Sequence, residues 1–341
     1  YVCCVLAASV LLAVVGWRLA DDVLALTKPD EEITITVPEN ATVADVSREL
    51  KEKGLIEYEW LFRFYCLYSH AERKIQPGTY ELNHLYDYHA LVNGMTPSTG
   101  LRATTEVTIP EGYECEDIFA LLEEAGVSTV SELEQAAASY EFDYSFLQDL
   151  PYGDRNRLEG YLFPDTYEFF VNEDPSHAIC RLLDNFSQRM DDELMTQVEE
   201  SGYSLEEILI IASLIEKETD GKDRTNIASV IYNRLNNVGE TYHKLEIDAA
   251  VIYGLGYANG ENYAGPLTQA DLDKDTPYNL RMHEGLPPTP ICNPGLASIR
   301  AALEPADTNY YFYALGKDGV HHFFKTYREH VNFVNSSQYG G

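Results

Sequence analysis

Two carboxylates near the middle of the chain stand where acid–base chemistry could occur. Ser204-Leu205-Glu206-Glu207 is a capping box, in which the serine hydroxyl and the glutamate satisfy each other's backbone amides, and it precedes Ile208-Leu209-Ile210-Ile211-Ala212-Ser213-Leu214-Ile215. A helix therefore starts at Ser204. On its wheel, Glu206, Ser213 and Lys217 share a narrow polar strip, whereas Glu218 falls between Leu214 and Ile211, and Glu216 between Leu205 and Leu209. A carboxyl group on an apolar surface has its charged form disfavoured, so it can carry a proton near neutrality and donate it to a leaving oxygen, as glycosidic cleavage requires. The alternative is a helix that frays after Ile215 and leaves both acids solvated. Periodicity does not choose between Glu216 and Glu218.

Other chemistries find little support. His321-His322, Glu329-His330 and His283-Glu284 lack the spacing of a metal-binding helix, and no phosphate-binding glycine loop or serine-hydrolase elbow is present. No metal and no cofactor are expected. Asp165 and Asp248 are single acids in turn-like contexts, where capping of nearby backbone is the commoner role. Cys66, Cys115, Cys180 and Cys292 are scattered in apolar surroundings, which favours buried free thiols over disulfides or zinc.

The positioning elements follow from pattern and composition. The 341 residues carry 24 Lys+Arg against 56 Asp+Glu, a formal net charge of −32, which opposes contact with nucleic-acid phosphates. With 25 Tyr, 13 Phe and 2 Trp, the chain is too aromatic for a disordered acidic segment. Tyr1 to Trp17 is uncharged and apolar, and is read as part of a membrane anchor over residues 1–23 that extends upstream of Tyr1; a cleaved signal peptide is the competing reading. Both favour a body outside the cytoplasm. A repeat at a constant offset of 72 residues aligns Val37-Pro38-Glu39, Asp45-Val46, Leu50 and Gly54 with Ile109-Pro110-Glu111, Asp117-Ile118, Leu122 and Gly126. Each copy reads as strand, turn and helix ending at glycine. The expected order is an anchor, a small α+β module at 30–100, a second related repeat with its connection at 101–156, and a larger mixed α+β domain at 157–341 holding the unusual loops.

Taken together, several motifs resemble the endolytic murein transglycosylase, or YceG-like, family. They are Glu159-Gly160-Tyr161-Leu162-Phe163-Pro164-Asp165-Thr166-Tyr167, Ile211 to Thr219, Asp248 with Val251-Ile252-Tyr253-Gly254, Pro277-Tyr278-Asn279, Gly285-Leu286-Pro287-Pro288 with Asn293-Pro294-Gly295, and His321-x-Phe323 running to Glu329-His330. Their order spans essentially the whole chain. The resemblance implies a single-pass membrane protein with a LysM-like module and a catalytic domain on the extracytoplasmic side. It also implies peptidoglycan strands as substrate and cell-wall synthesis proteins as partners. The Glu that precedes Thr in the E-K-E-T run, Glu218, is then the acid and later the base, and a 1,6-anhydromuramic end forms without water. Thr219, Asp248, Tyr278, Asn279 and Asn293 are the matching substrate-side positions. One departure is Leu245-Glu246-Ile247-Asp248, where the family pattern resembles L-Q-S-D. The rival readings are a muramidase-type hydrolase using Asp248 or Glu159 as second carboxylate, and a non-catalytic wall-binding protein.

Overall fold

The computed structural model describes residues 2–38, 41–69, 71, 74–96, 103–219, 221–236, 241, 243–259, 263 and 266–340, with backbone alone for residues 2–8, 11, 258 and 259. It is a mixed α+β protein that divides into two compact units. Unit 1 comprises residues 1–106, 125–128 and 168–174, and unit 2 the remainder.

Unit 1 opens with α1, Val2–Leu24, where the anchor is expected. Among the described residues no helix is long and apolar enough to cross a membrane. After α1 come β1 (Glu32–Val37), α2 (Val43–Glu52), α3 (Glu59–Ser69), β2 (Gly78–Asn83) and α4 (Tyr88–Gly94). The alternation of Ile33, Ile35 and Val37 forms β1, which pairs antiparallel with β2 from Glu32↔Asn83 to Val37↔Gly78. Thr42 and Asp45 close a capping box on α2, and the chain leaves that helix through Gly54 at φ +77°, a left-handed turn that a side chain resists. α2 packs on β1, α4 on β2 and α3 on α2, and together they bury Ile35, Val46, Leu50, Phe62, Tyr80 and Leu82. Asp22, near the end of α1, is buried; it accepts hydrogen bonds from the Glu57 and Tyr58 amides (2.7 and 2.9 Å) and the Tyr88 hydroxyl (2.6 Å), and pairs with Lys28 at 3.2 Å.

The second copy of the repeat starts in β3 (Thr104–Thr108) and continues through α5 (Cys115–Glu124) and α6 (Val130–Ser139). Its strand pairs with β4 (Thr166–Phe170), so the order strand, helix, helix, strand occurs twice, the second time with residues 140–165 inserted before the closing strand. Gly126, the counterpart of Gly54, also has a positive φ, +73°. Val107–Glu124 and Thr129–Tyr167 group with the later helices in unit 2.

Unit 2 is built around α9 (Leu205–Glu218). The helix starts at the Ser204–Glu207 capping box, and every residue from Ile208 to Ile215 is buried. Of the polar strip read from the wheel, only Ser213 is fully buried, its hydroxyl accepting from the Ile291 amide at 3.0 Å, while Glu206 is half-buried and Lys217 exposed. Around α9 stand α8 (Asp192–Ser201), α10 (Arg224–Asn236), α11 (Asp248–Asn259) and α13 (Leu296–Leu303), while α7 (Pro175–Arg189) packs on α6 and the short α12 (Gln269–Leu272) on α11. A terminal hairpin of β5 (Phe312–Leu315) and β6 (His321–Phe324), paired from Phe312↔Phe324 to Leu315↔His321, precedes α14 (Tyr327–Val334). Cys66, Cys115 and Cys292 are buried as free thiols, and Cys180 is partly so.

Candidate active site

Glu216 and Glu218 sit in the last turn of α9, and their surroundings separate them. Glu216 accepts the Gly295 amide at 3.0 Å and faces the Arg224 guanidinium at 3.4 Å, with only 7% of its side chain exposed. It fastens α9 to the start of α13. Glu218 instead lines a cleft of about 540 Å³ whose wall also includes Arg234, Asp248, Arg281, Tyr313 and His321. Its Oε2 accepts the Tyr313 hydroxyl at 2.8 Å, and no cation pairs with it among the described residues.

The electrostatics suit a proton donor. Burial raises the Glu218 carboxyl above the usual carboxylate range and the charge of Asp248 adds to this; the Tyr313 hydrogen bond and His321 oppose it without cancelling it. Burial, and then the neighbouring Glu218, keep the Tyr313 phenol protonated well beyond neutrality, so it remains a donor. Glu218 stays open to the cleft on one side while protein crowds it on the others, an arrangement that desolvates the carboxyl yet leaves it reachable.

The other acids of the cleft are neutralised. Asp248, at the start of α11, is gripped by Arg281 through Nε at 2.8 Å and Nη2 at 2.6 Å. Glu246 meets the buried Arg234 at 2.8 Å, and Arg234 also donates to the Leu245 carbonyl. Glu246, at the cleft wall and within the stretch that departs from the family pattern, has left-handed backbone at φ +56°, as does His243 shortly before that stretch at φ +57°. Among the described residues, no group of His, Cys, Asp and Glu is arranged to hold a metal ion.

The structure thus brings two of the sequence-derived residues, Glu218 and Asp248, to the cleft, and places the other four elsewhere. Thr219 is the buried C-cap of α9, and its hydroxyl donates to Asp223. Tyr278 is 5% exposed, with its ring against Tyr253 and Tyr257 and its hydroxyl 2.8 Å from Thr289. Gly254 is small for this reason, since a Cβ there would lie 2.6 Å from that of Tyr278. Asn279 has no exposed surface, and its amide is spent on the Leu272 and Lys274 carbonyls and the Arg281 amide. Asn293 is equally buried: its oxygen accepts from the Gly160 and Leu162 amides, and its nitrogen donates to the Tyr113 carbonyl and to Glu159. With every polar atom engaged, Asn279 and Asn293 have nothing left to offer a ligand; they shape the loops around the site. Glu159, the other rival carboxylate, lies away from the cleft wall, takes the Cys115 amide at 3.1 Å and, by burial first, is pushed up to about 8.

Sequence reasoning missed Tyr313, Arg234 and Arg281, and gave His321 no role beyond an unsupported metal site and a place in the family motif. A signal for Tyr313 was present: Phe312 and Ala314 are buried, and the two-residue strand period turns Tyr313 the other way.

Residues 35–336 match the profile of the YceG-like family. The chain belongs to that family. This YceG-like protein is 30% identical over 313 residues to the endolytic murein transglycosylase of Bacillus subtilis strain 168, covering 87% of this chain and 82% of that one. It is 30% identical over 325 residues to the Streptococcus pneumoniae D39 protein of the same name, covering 87% of this chain and 57% of the relative. Among solved structures, the yceG-like protein lmo1499 of Listeria monocytogenes superposes with a TM-score of 0.56 at 29% identity, covering 89% of this chain and all of that one. The chain is therefore an enzyme of the lytic transglycosylase class.

Proposed function

We propose that this YceG-like protein cuts within peptidoglycan glycan strands at the β-1,4 bond between N-acetylmuramic acid and N-acetylglucosamine, leaving a 1,6-anhydromuramic end. Glu218, protonated at rest, gives its proton to the departing glycosidic oxygen. The 6-hydroxyl of the same muramic residue attacks C1 and closes the ring, and its proton restores the Glu218 carboxyl. The substrate's own hydroxyl is the nucleophile, so its entropy of approach is already lost on binding and no activated water is needed.

One observation carries this over the hydrolase reading: Glu218 is the acid at the cleft that no arginine neutralises, whereas Asp248 and Glu246 are ion-paired and Glu159 lies elsewhere. A hydrolase needs a second carboxylate as nucleophile or as base for water. The name the relatives share, endolytic murein transglycosylase, supports the same substrate. Within unit 1, the order of β1, α2, α3 and β2 supports the LysM-like reading of that module, and the apolar stretch of α1 supports a single-pass anchor with the enzyme outside the cytoplasmic membrane. Partners among wall-synthesis proteins follow from the family alone.

The test is mass spectrometry of purified peptidoglycan digested by wild type and by Glu218→Gln. Anhydro ends from the wild type and none from the variant are expected. Reducing ends would favour the hydrolase, and glycan binding without any cleavage would favour the binding protein.

A further inference from the structure

The one-glutamate cycle asks a single carboxyl to release one proton and accept another within each turnover, although one of its oxygens is already occupied. Oε2 of Glu218 holds the Tyr313 hydroxyl, and Oε1 has no hydrogen bond among the described residues. In the same cleft lies a second group able to handle a proton. His321, the first residue of β6, has its Nδ1 2.6 Å from Oδ2 of Asp223, with 13% and 15% of the two side chains exposed. The ring stands edge-on to Tyr313, centroids 5.5 Å apart, and Tyr313 in turn holds Glu218. Nε2 of His321 has no partner among the described residues.

Asp223 is built as an orienting group. It precedes α10, and besides His321 it accepts the hydroxyl of Thr219, the residue next to Glu218. Burial raises its pKa, but the bonds from Thr219 and His321 outweigh that and hold the carboxyl below its ordinary range, so it is ionised throughout neutrality. An ionised acceptor at Nδ1 keeps the proton on that nitrogen and leaves Nε2 as the acceptor. This is the geometry of a base held by a third group. Thr219, which the resemblance put on the substrate side, acts here through Asp223.

We infer that His321, oriented by Asp223, is a proton station for the attacking hydroxyl. This inference rests on the transglycosylase reading and deepens it. As the 6-oxygen bonds to C1 and the bond from C1 to the glycosidic oxygen breaks, the Glu218 proton goes to the leaving oxygen. The hydroxyl proton goes to Nε2, and the imidazolium formed is stabilised by Asp223. Nε2 then returns that proton through the cleft solvent to the Glu218 carboxylate, so that neither water nor any other reactant is consumed. The groups facing His321 are Asp223 ahead of α10, Tyr313 on β5 and Glu218 at the end of α9; Asp248 with Arg281, Glu246 with Arg234, and His330 line the rest of the cleft.

The experiment follows formation of anhydro ends against pH for the full chain, comparing wild type with His321→Gln, His321→Ala and Asp223→Asn, with thermal unfolding as a check on folding. The wild-type kcat/KM should be bell-shaped, falling at low pH as His321 becomes charged and at high pH as Glu218 loses its proton. His321→Gln should lose the acid limb and about 100-fold in kcat, within the usual range for a general base, with little change in KM. Asp223→Asn should move the acid limb to lower pH, since the imidazolium loses its counter-charge. Imidazole added to His321→Ala should restore turnover in proportion to its neutral form, an effect no purely structural role of His321 would give. Anhydro ends formed by His321→Gln with unchanged kcat and acid limb, or a loss confined to KM, would overturn the station and leave the transglycosylase reading intact. Reducing ends from the wild type would overturn both.

Discussion

Glu216 and Glu218 lie two residues apart, and what separates them is the charge each one meets. Arg224 and the Gly295 amide compensate Glu216, whereas Glu218 receives one neutral hydroxyl. Glu218→Gln should therefore abolish turnover while Tm moves by only a few degrees, which product analysis and calorimetry would check. Tyr313→Phe removes a bond that favours the Glu218 carboxylate, so the carboxyl should titrate still higher and the alkaline limb of the pH–rate profile should shift upward. Glu159 offers a separate test. Its folded pKa, about 8, exceeds the ordinary 4.5, so the folded state binds the extra proton between these values and stability must fall as pH rises through that window. The slope approaches about 1.4 kcal/mol per pH unit at most. Denaturant unfolding at pH 5 and at pH 8 should show this loss in wild type and a smaller one in Glu159→Gln.

The helices announce themselves locally, and the cleft does not. Ser204 to Ile215 predicted α9 from its capping box and apolar run, and Gly54 and Gly126 predicted where both repeat helices end. These signals lie within a turn or two of the structure they specify. The partners of Glu218 do not: Tyr313 is 95 residues away, and His321 pairs with an aspartate 98 residues before it. Such contacts exist only after the hairpin of β5 and β6 has packed, so no spacing rule could reveal them. Nor could pattern show that Asn279 and Asn293 turn inward, because a buried amide and a ligand-facing one look alike in a sequence. Gly160 gives this scale its prediction. With φ +90° and Pro290 2.6 Å from where a Cβ would stand, Gly160→Ala faces both strain and a clash. It should cost more than about 1 kcal/mol, beyond the usual penalty for alanine at positive φ, and should lower activity through the loops that Asn293 ties together. A melting curve and a turnover assay together would separate this from an effect at Glu218.

Across the whole molecule, one short pattern occurs twice, closing a compact sheet in its first copy and framing a long insertion in its second. The net charge of −32 acts at this scale too, through repulsion summed over the surface. Added neutral salt should raise Tm between about 10 mM and 150 mM, where the screening length shrinks from about 30 to 8 Å; an unchanged or falling Tm would show the acids to be locally compensated. The Asp22 joint has a mechanical side. One buried carboxylate receives two amides and a phenol and faces an ammonium, all inside unit 1. It works as a rivet and not as a slack tether: a pull on the module is shared among several short bonds at once and reaches α1 through a single carboxylate near its end.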